Sequence, residues 1–429
     1  MEVVKNTSDS VRPIKSGRKR GRLRSAPVYE TVSRYRPIQS RLSTDDVLFI
    51  SEHANRMLME VRNAMPVPPS RKTSPRFTPQ QLQRLCGIDV SRYSYALRTS
   101  DLPKGTARES TGKRTFSLEE ARIWFKTEGN YKAKPEDIPA KTIAISNFRG
   151  GVSKTSTAMN LAQGLTLLGR SCLLVDLDPQ ASLTALFGIL PDLEIDEDQT
   201  ILPYINDVEK NLEYAVIPTY WDGLELIPAS SSLFSAEFTL PGKQTRQTGY
   251  RFWEVIKNGL APLLRRYDVV IIDTPPALSY LSINAFMAAD GIIVPIPPSA
   301  RDYASSAQFW ALFADFANSL KTSAMLEKTF DFIHVLLSKV NLAESAAPYV
   351  MDWIRKTYGH LVLPFEIPMT SEAEVSAAEF GTIYDMNRYD TGSETLLRAR
   401  TAYDQFVLHM DRQLAALWGD ESLSSGLLP

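Results

Sequence analysis

The sequence of 429 residues predicts an α/β protein: a doubly wound, mostly parallel sheet preceded by a small helical module. Three observations carry this reading. Apolar runs such as 142–145, 172–175 and 269–272 are too short for buried helices. Helical spacing separates them, as strands covered on both faces require. The first run feeds a glycine pair, Gly150–Gly151, then Lys154–Thr155 and a helix. Charge is also divided: residues 1–141 hold 28 Lys/Arg against 15 Asp/Glu, and the remainder holds 20 against 34. A basic front end joined to an acidic body points to a nucleic-acid partner for the front end.

In chain order, residues 1–40 are rich in Arg, Ser and Pro with few apolar side chains, the composition of a disordered basic tail. Its densest stretch, Arg12 to Arg24, reads equally as a solvated tail or a nucleic-acid contact. Within 41–66, Thr44 reads as an N-cap and Pro66 as a stop. Between them Val47, Leu48, Ile50, Ala54, Met57, Leu58 and Val61 recur at helical spacing. An apolar stripe outside any evident core needs a cover, and a second copy of the chain supplies one. This segment is therefore read as a dimerisation helix.

Residues 67–128 have the spacing of a winged helix-turn-helix module. Thr78-Pro79-Gln80-Gln81 offers an N-cap, a proline at N1 and a glutamine at N3, and Gly87 ends the helix. Leu82, Leu85 and Cys86 form its apolar face. A second helix, Ser91 to Thr99, turns Ala96 and Leu97 inward and Arg92, Tyr95 and Arg98 outward, as a reader helix does. Lys104, Arg108, Lys113 and Arg114 then lie in a glycine-bearing wing, and Ser117 caps a third helix running through Phe125. These seven outward or wing residues are the candidates for specific DNA contact. The competing reading is a basic helical interaction domain. Residues 129–140 read as a linker, and 141–429 as the α/β domain.

The loop after the first apolar run carries the chemistry. Backbone N–H groups and a helix N-terminus are turned toward any phosphate bound there. The next run ends in Asp176-Leu177-Asp178-Pro179-Gln180, and 268–276 places Asp273 at a strand end. The loop departs from the general P-loop, with Phe148 at its first glycine, Ser153 at its last, and an added cation, Arg149. It resembles the deviant P-loop of the ParA/MinD family of ATPases, whose pattern reads K-G-G-x-G-K-[ST]; Arg149 stands at the early lysine. That resemblance implies ATP and magnesium as cofactors. Gly150, Gly151, Val152, Ser153, Lys154, Thr155 and Ser156 would hold phosphates, and Pro297 with Pro298 would cradle adenine. Thr155, Asp273 and Asp176 would serve magnesium. Lys154, Asp178 and a partner subunit's copy of Arg149 would be catalytic. Runs near 291–297, 332–340 and 361–368 continue the sheet, whereas 191–249 offers no family-specific residue.

Taken whole, the chain resembles the long ParA and RepA proteins of plasmids. The implied activity is a DNA-segregation ATPase that closes as a nucleotide-sandwich homodimer and binds DNA without sequence preference. A ParB-type partner would stimulate its weak hydrolysis, and the N-terminal module would repress its operon. Arg398 and Arg400, with Lys339, Arg355 and Arg388, are the candidates for non-specific DNA contact. A nucleotide-sensing repressor with little hydrolysis is the alternative. Two cysteines on unrelated elements exclude the cluster of a nitrogenase-type reductase and point to a reducing cytosol. No apolar run approaches ~20 residues, so no membrane span is expected. The N-terminus lacks the apolar core of a signal peptide. The expected place is the cytoplasm, on the nucleoid.

Overall fold

The computed structural model describes residues 43–64, 72–107, 112–323, 327–369, 381–385 and 394–419. The basic tail, Arg108 and Arg388 lie outside these. The chain divides into two units, Met1–Pro66 and Val67–Pro429. In the first, helix α1 (Thr44–Ala64) begins one residue earlier than expected. Ser43 rather than Thr44 caps it: the Ser43 N–H and hydroxyl both donate to the Asp46 carboxylate, at 2.7 and 2.8 Å. Val47, Leu48, Phe49 and Ile50 stand in solvent on this helix.

The second unit starts with three helices and a ribbon: α2 (Pro79–Cys86), α3 (Val90–Thr99), strands β1 (Thr106–Ala107) and β2 (Arg114–Thr115), and α4 (Leu118–Glu128). The caps follow from local sequence. Thr78 and Gln81 form a reciprocal capping box, Gly87 closes α2 in the left-handed region, and Ser117 with Glu120 repeats the box on α4. Leu82, Tyr93, Phe116 and Trp124 are buried together as the small core. Trp124 satisfies its indole N–H on the Pro103 carbonyl at 2.8 Å.

Eight strands form the main sheet: β3 (Lys141–Ile145), β4 (Cys172–Asp176), β5 (Ile217–Pro218), β6 (Leu224–Ile227), β7 (Val269–Asp273), β8 (Gly291–Ile296), β9 (Phe332–Val340) and β10 (Val362–Pro368). Their order is β10-β9-β8-β3-β7-β4-β6-β5, all neighbours parallel except the antiparallel edge pair β5–β6. Both β5 and β6 fall in 191–249, where the sequence offered no family-specific residue. Strand alternation splits the core in two. Ile143, Leu174 and Ile271 face α5 (Lys154–Leu167) and the C-terminal helix Glu394–Leu417, while Ala144, Val175 and Ile272 face the helices of residues 236–288. Burial on both faces explains why these strands read as continuous apolar runs.

The helical module is bolted to the sheet domain by one buried arginine. Arg122 of α4 donates to the Thr166 carbonyl in the last turn of α5 and to the Arg170 carbonyl just past it, both at 2.9 Å, and pairs with Asp222. Arg170, also buried, donates to Asp411 at 2.7 Å and lies over the Tyr131 and Trp418 rings. A second tie joins Lys72 to Asp385, whose other oxygen accepts from Tyr220.

Candidate nucleotide-binding site

Topology gathers the site on one edge. Parallel strands β3, β7 and β4 are adjacent and in register, with Ile145 opposite Asp273 and Asp273 opposite Asp176. Their carboxyl ends therefore converge where the glycine loop leaves β3, the crevice in which open α/β sheets take ligands. Gly150 and Gly151 are exposed, and Gly151 takes φ +77°, as only glycine does freely. Ser153 adopts the same left-handed region at φ +73°. The backbone thus keeps a glycine-type turn with a serine in it.

Neighbours that the sequence reading missed hold the loop. Asn147 accepts from the Arg149 N–H at 3.1 Å and donates to the Pro295 carbonyl at 2.9 Å. The Ser338 hydroxyl, from β9, donates to the Val152 carbonyl at 3.0 Å. Phe148 explains its own presence: the ring packs 4.7 Å from Phe309 and 6.2 Å from Phe286, centroid to centroid, anchoring the loop to an aromatic cluster. Arg149 pairs with Asp302 of its own chain, at the start of the helix Ala300–Ser323. The Ser299–Asp302 capping exchange that fixes this carboxylate was readable as an S-x-x-D motif.

Electrostatics separate the three acids. Asp273 is fully buried, and neither carboxylate oxygen completes a hydrogen bond. Burial pushes its carboxyl up to about 7; the Thr155 hydroxyl and the Lys154 ammonium act against that rise without satisfying it. Asp176 is also raised, by burial first and then by Asp273. It accepts, however, from the Thr184 N–H and hydroxyl at 2.8 Å each and from the Asp178 N–H at 3.1 Å. Asp176, the remaining magnesium candidate, is thereby also an anchor of the turn. Asp178 is raised by burial too, with the Gln180 N–H and Lys154 pulling the other way. Burial lowers the Lys154 ammonium while Asp273 and Asp178 support it, and its Nζ donates to the Arg149 carbonyl at 3.0 Å. A buried carboxylate pair, an ammonium on a borrowed carbonyl and two oxygens without donors fit a magnesium–phosphate ligand, which would satisfy Lys154 and Asp273 together.

Other candidates are distributed differently. Thr155 and Ser156 are half-buried in the first turn of α5, and Pro297 and Pro298 are buried just past β8. Val152 is a core residue offering backbone alone. Among the DNA candidates, Tyr95, Lys113, Arg114 and Arg398 are exposed. Arg92 is tied to Glu128, Arg98 to the Ser94 carbonyl, and Lys104 to the Leu97 and Ser100 carbonyls. Arg400 is corrected from an exposed contact: its guanidinium lies 3.8 Å from the Tyr384 ring centroid and bonds Asp404, because this side of the helix packs inward. Arg355 pairs with Glu366, whereas Lys339 is exposed at φ +49°.

Comparison with known proteins agrees with this geometry. An AAA-domain family model matches residues 140–345. A protein of Rhizobium rhizogenes named as a replication protein A is 29% identical over 366 residues, 82% of this chain and 90% of that one. Protein SopA of Escherichia coli K12 is 28% identical over 338 residues, 76% of this chain and 85% of its own length. A solved structure described as a partition protein shares the fold with a TM-score of 0.64 at 18% identity, covering 88% of this chain and 99% of that one. Among the described residues, no helix is long and apolar enough to cross a membrane. By its loop, its strand-end carboxylates and its relatives, the chain carries an AAA-type domain over residues 140–345 and is similar to the ParA-type ATPases.

Proposed function

We propose that the chain binds ATP with magnesium, closes on a second copy around the two nucleotides and hydrolyses ATP to drive DNA segregation. The observation that carries this is Asp273, a buried carboxylate with two unbonded oxygens beside Lys154 and Thr155. In this reading the amides from Gly150 to Ser156 and the Lys154 ammonium hold the phosphate oxygens, and Thr155 with Asp273 holds the metal. Magnesium, when bound, neutralises phosphate charge and fixes the oxygens. Asp178, whose backbone is set by the tight Asp178–Ala181 turn, orients the attacking water. Arg149 reaches the second copy's nucleotide after leaving Asp302. Helix α1 contributes to pairing of the copies through its exposed stripe.

The DNA reading rests on the basic front end: Tyr95, Lys113 and Arg114 are exposed on the helical module for operator contact, with Arg398 serving sequence-independent contact. Repression of the chain's own operon and stimulation by a ParB-type centromere-binding protein complete the proposal. Steady-state hydrolysis with and without DNA and the product of a neighbouring ParB-like gene tests it. Partner-stimulated turnover is expected, and its loss in Lys154→Ala together with ATP-dependent DNA binding. ATP binding without stimulated turnover would favour the nucleotide-sensing repressor instead.

A further inference from the structure

Four non-glycine residues among those described have a left-handed backbone: Ser153, inside the glycine loop, and Ala181, Asp207 and Lys339. Left-handed strain in a side-chain-bearing residue persists where something holds it or uses it. At Ala181 the turn itself suffices, because its N–H closes on the Asp178 carbonyl at 2.7 Å and no side chain is needed. Ser153 is different. Glycine would take φ +73° freely, yet serine occupies the position. Serine at a helix start ordinarily turns its hydroxyl onto a backbone N–H of the first turn. Here no such cap forms, and the Ser153 hydroxyl has no hydrogen-bond partner among the described residues. The side chain is half-buried, immediately before Lys154 and two residues before Thr155.

An idle hydroxyl on strained backbone, inside the loop whose neighbours include the unsatisfied Asp273, has one evident use. We propose that the Ser153 hydroxyl is a direct ligand of the bound nucleotide, donating its proton to a phosphate oxygen and adding a side-chain donor to the backbone cradle. A phosphate oxygen at neutral pH accepts hydrogen bonds, and a hydroxyl rotates to supply one. The inference rests on the nucleotide reading above and adds what that reading leaves unused.

The test uses the full chain and two substitutions that separate hydroxyl from backbone. Ser153→Ala removes the hydroxyl and keeps a side chain at positive φ; Ser153→Gly removes the hydroxyl and relieves the strain. Calorimetric titration with ATP and magnesium, and thermal denaturation of the nucleotide-free protein, are read for both. Each variant is expected to bind ATP about tenfold more weakly, the worth of one hydrogen bond to a charged acceptor. Ser153→Ala should melt with the wild type, and Ser153→Gly no lower. ATP binding by Ser153→Ala at wild-type strength would overturn the proposal. A loss in Ser153→Ala that Ser153→Gly restores would also overturn it, because both variants lack the hydroxyl and its absence could not then be the cause. If the wild type itself does not bind ATP, the nucleotide reading falls and this inference with it. ADP titrated in parallel locates the contact: an equal loss assigns it to the α- or β-phosphate, and a loss confined to ATP to the γ-phosphate.

Discussion

Replacing Gly164 by alanine probes the close approach of α5 to the helix Glu394–Leu417. A Cβ built at Gly164 would lie 2.3 Å from Val407 Cγ2, 3.0 Å from Val407 Cγ1 and 2.9 Å from the Tyr384 hydroxyl. Carbon atoms rest near 3.5–4.0 Å, so the methyl overlaps Val407 by roughly 1 Å or more. Valine has little χ1 freedom in a helix, and the strain must pass to the helix Glu394–Leu417 as a whole. Overpacking of this kind costs about 1–3 kcal/mol, while alanine in a helix interior returns up to about 1 kcal/mol over glycine. A net loss of about 1–2 kcal/mol is expected, read by urea unfolding followed through tryptophan fluorescence. Val407→Ala in the same chain makes room for the new methyl. The double variant should recover at least about 1 kcal/mol over the sum of the singles. Gly164→Ala as stable as the wild type, or a strictly additive pair, would refute the close approach.

Asp302→Asn releases Arg149 from its tie within the chain. Two such partly exposed pairs, worth about 1 kcal/mol each, open per dimer, so ATP-dependent dimerisation should occur at about thirtyfold lower protein concentration; an unchanged sedimentation profile in analytical ultracentrifugation would count against it. Asp273→Asn removes a buried charge without donors, so the nucleotide-free protein should melt a few degrees higher while magnesium-dependent ATP affinity collapses. A lower melting point would mean that its oxygens are satisfied after all. Burial, with the charges of His334 and Arg412 adding to it, lowers His409 to about 4. The unfolded chain therefore takes up a proton as pH falls through about 6.5, and the folded chain resists until about 4. Stability is full above 6.5 and declines below it, by about 1–2 kcal/mol once the residue's partial exposure is discounted. His409→Gln should flatten that decline between pH 6.5 and 4, as measured by urea midpoints.

What was legible in the sequence was local. The capping boxes at Thr78 and Ser117, the strand–loop–helix at 141–167 and the carboxylates at 176, 178 and 273 are set by neighbours within a few positions, and the structure carries each of them. What was missed depends on distance along the chain. Ser338 reaches Val152 across 186 residues, and Arg92 meets Glu128 across 36. Nothing in the sequence announces that Thr184 folds back to donate twice to one oxygen of Asp176. Arg400 looked exposed because a helix pattern alone does not reveal that Tyr384 packs over it. Strand β6 was overlooked because four residues, Leu224–Ile227, give no period to read, and only its place beside β4 makes it a strand.

Helix α5 starts on the phosphate loop and ends where Arg122 grips its final carbonyls. Fourteen residues make a strut about 21 Å long. Pivoted at Lys154, a rocking of about 10° would carry its far end, and the helical module clamped there, through roughly 4 Å, comparable with the ~3.4 Å rise of one base pair along a duplex. A lever of that length would turn a small adjustment at the glycine loop into a displacement of the helical module large enough to change its register on a bound partner.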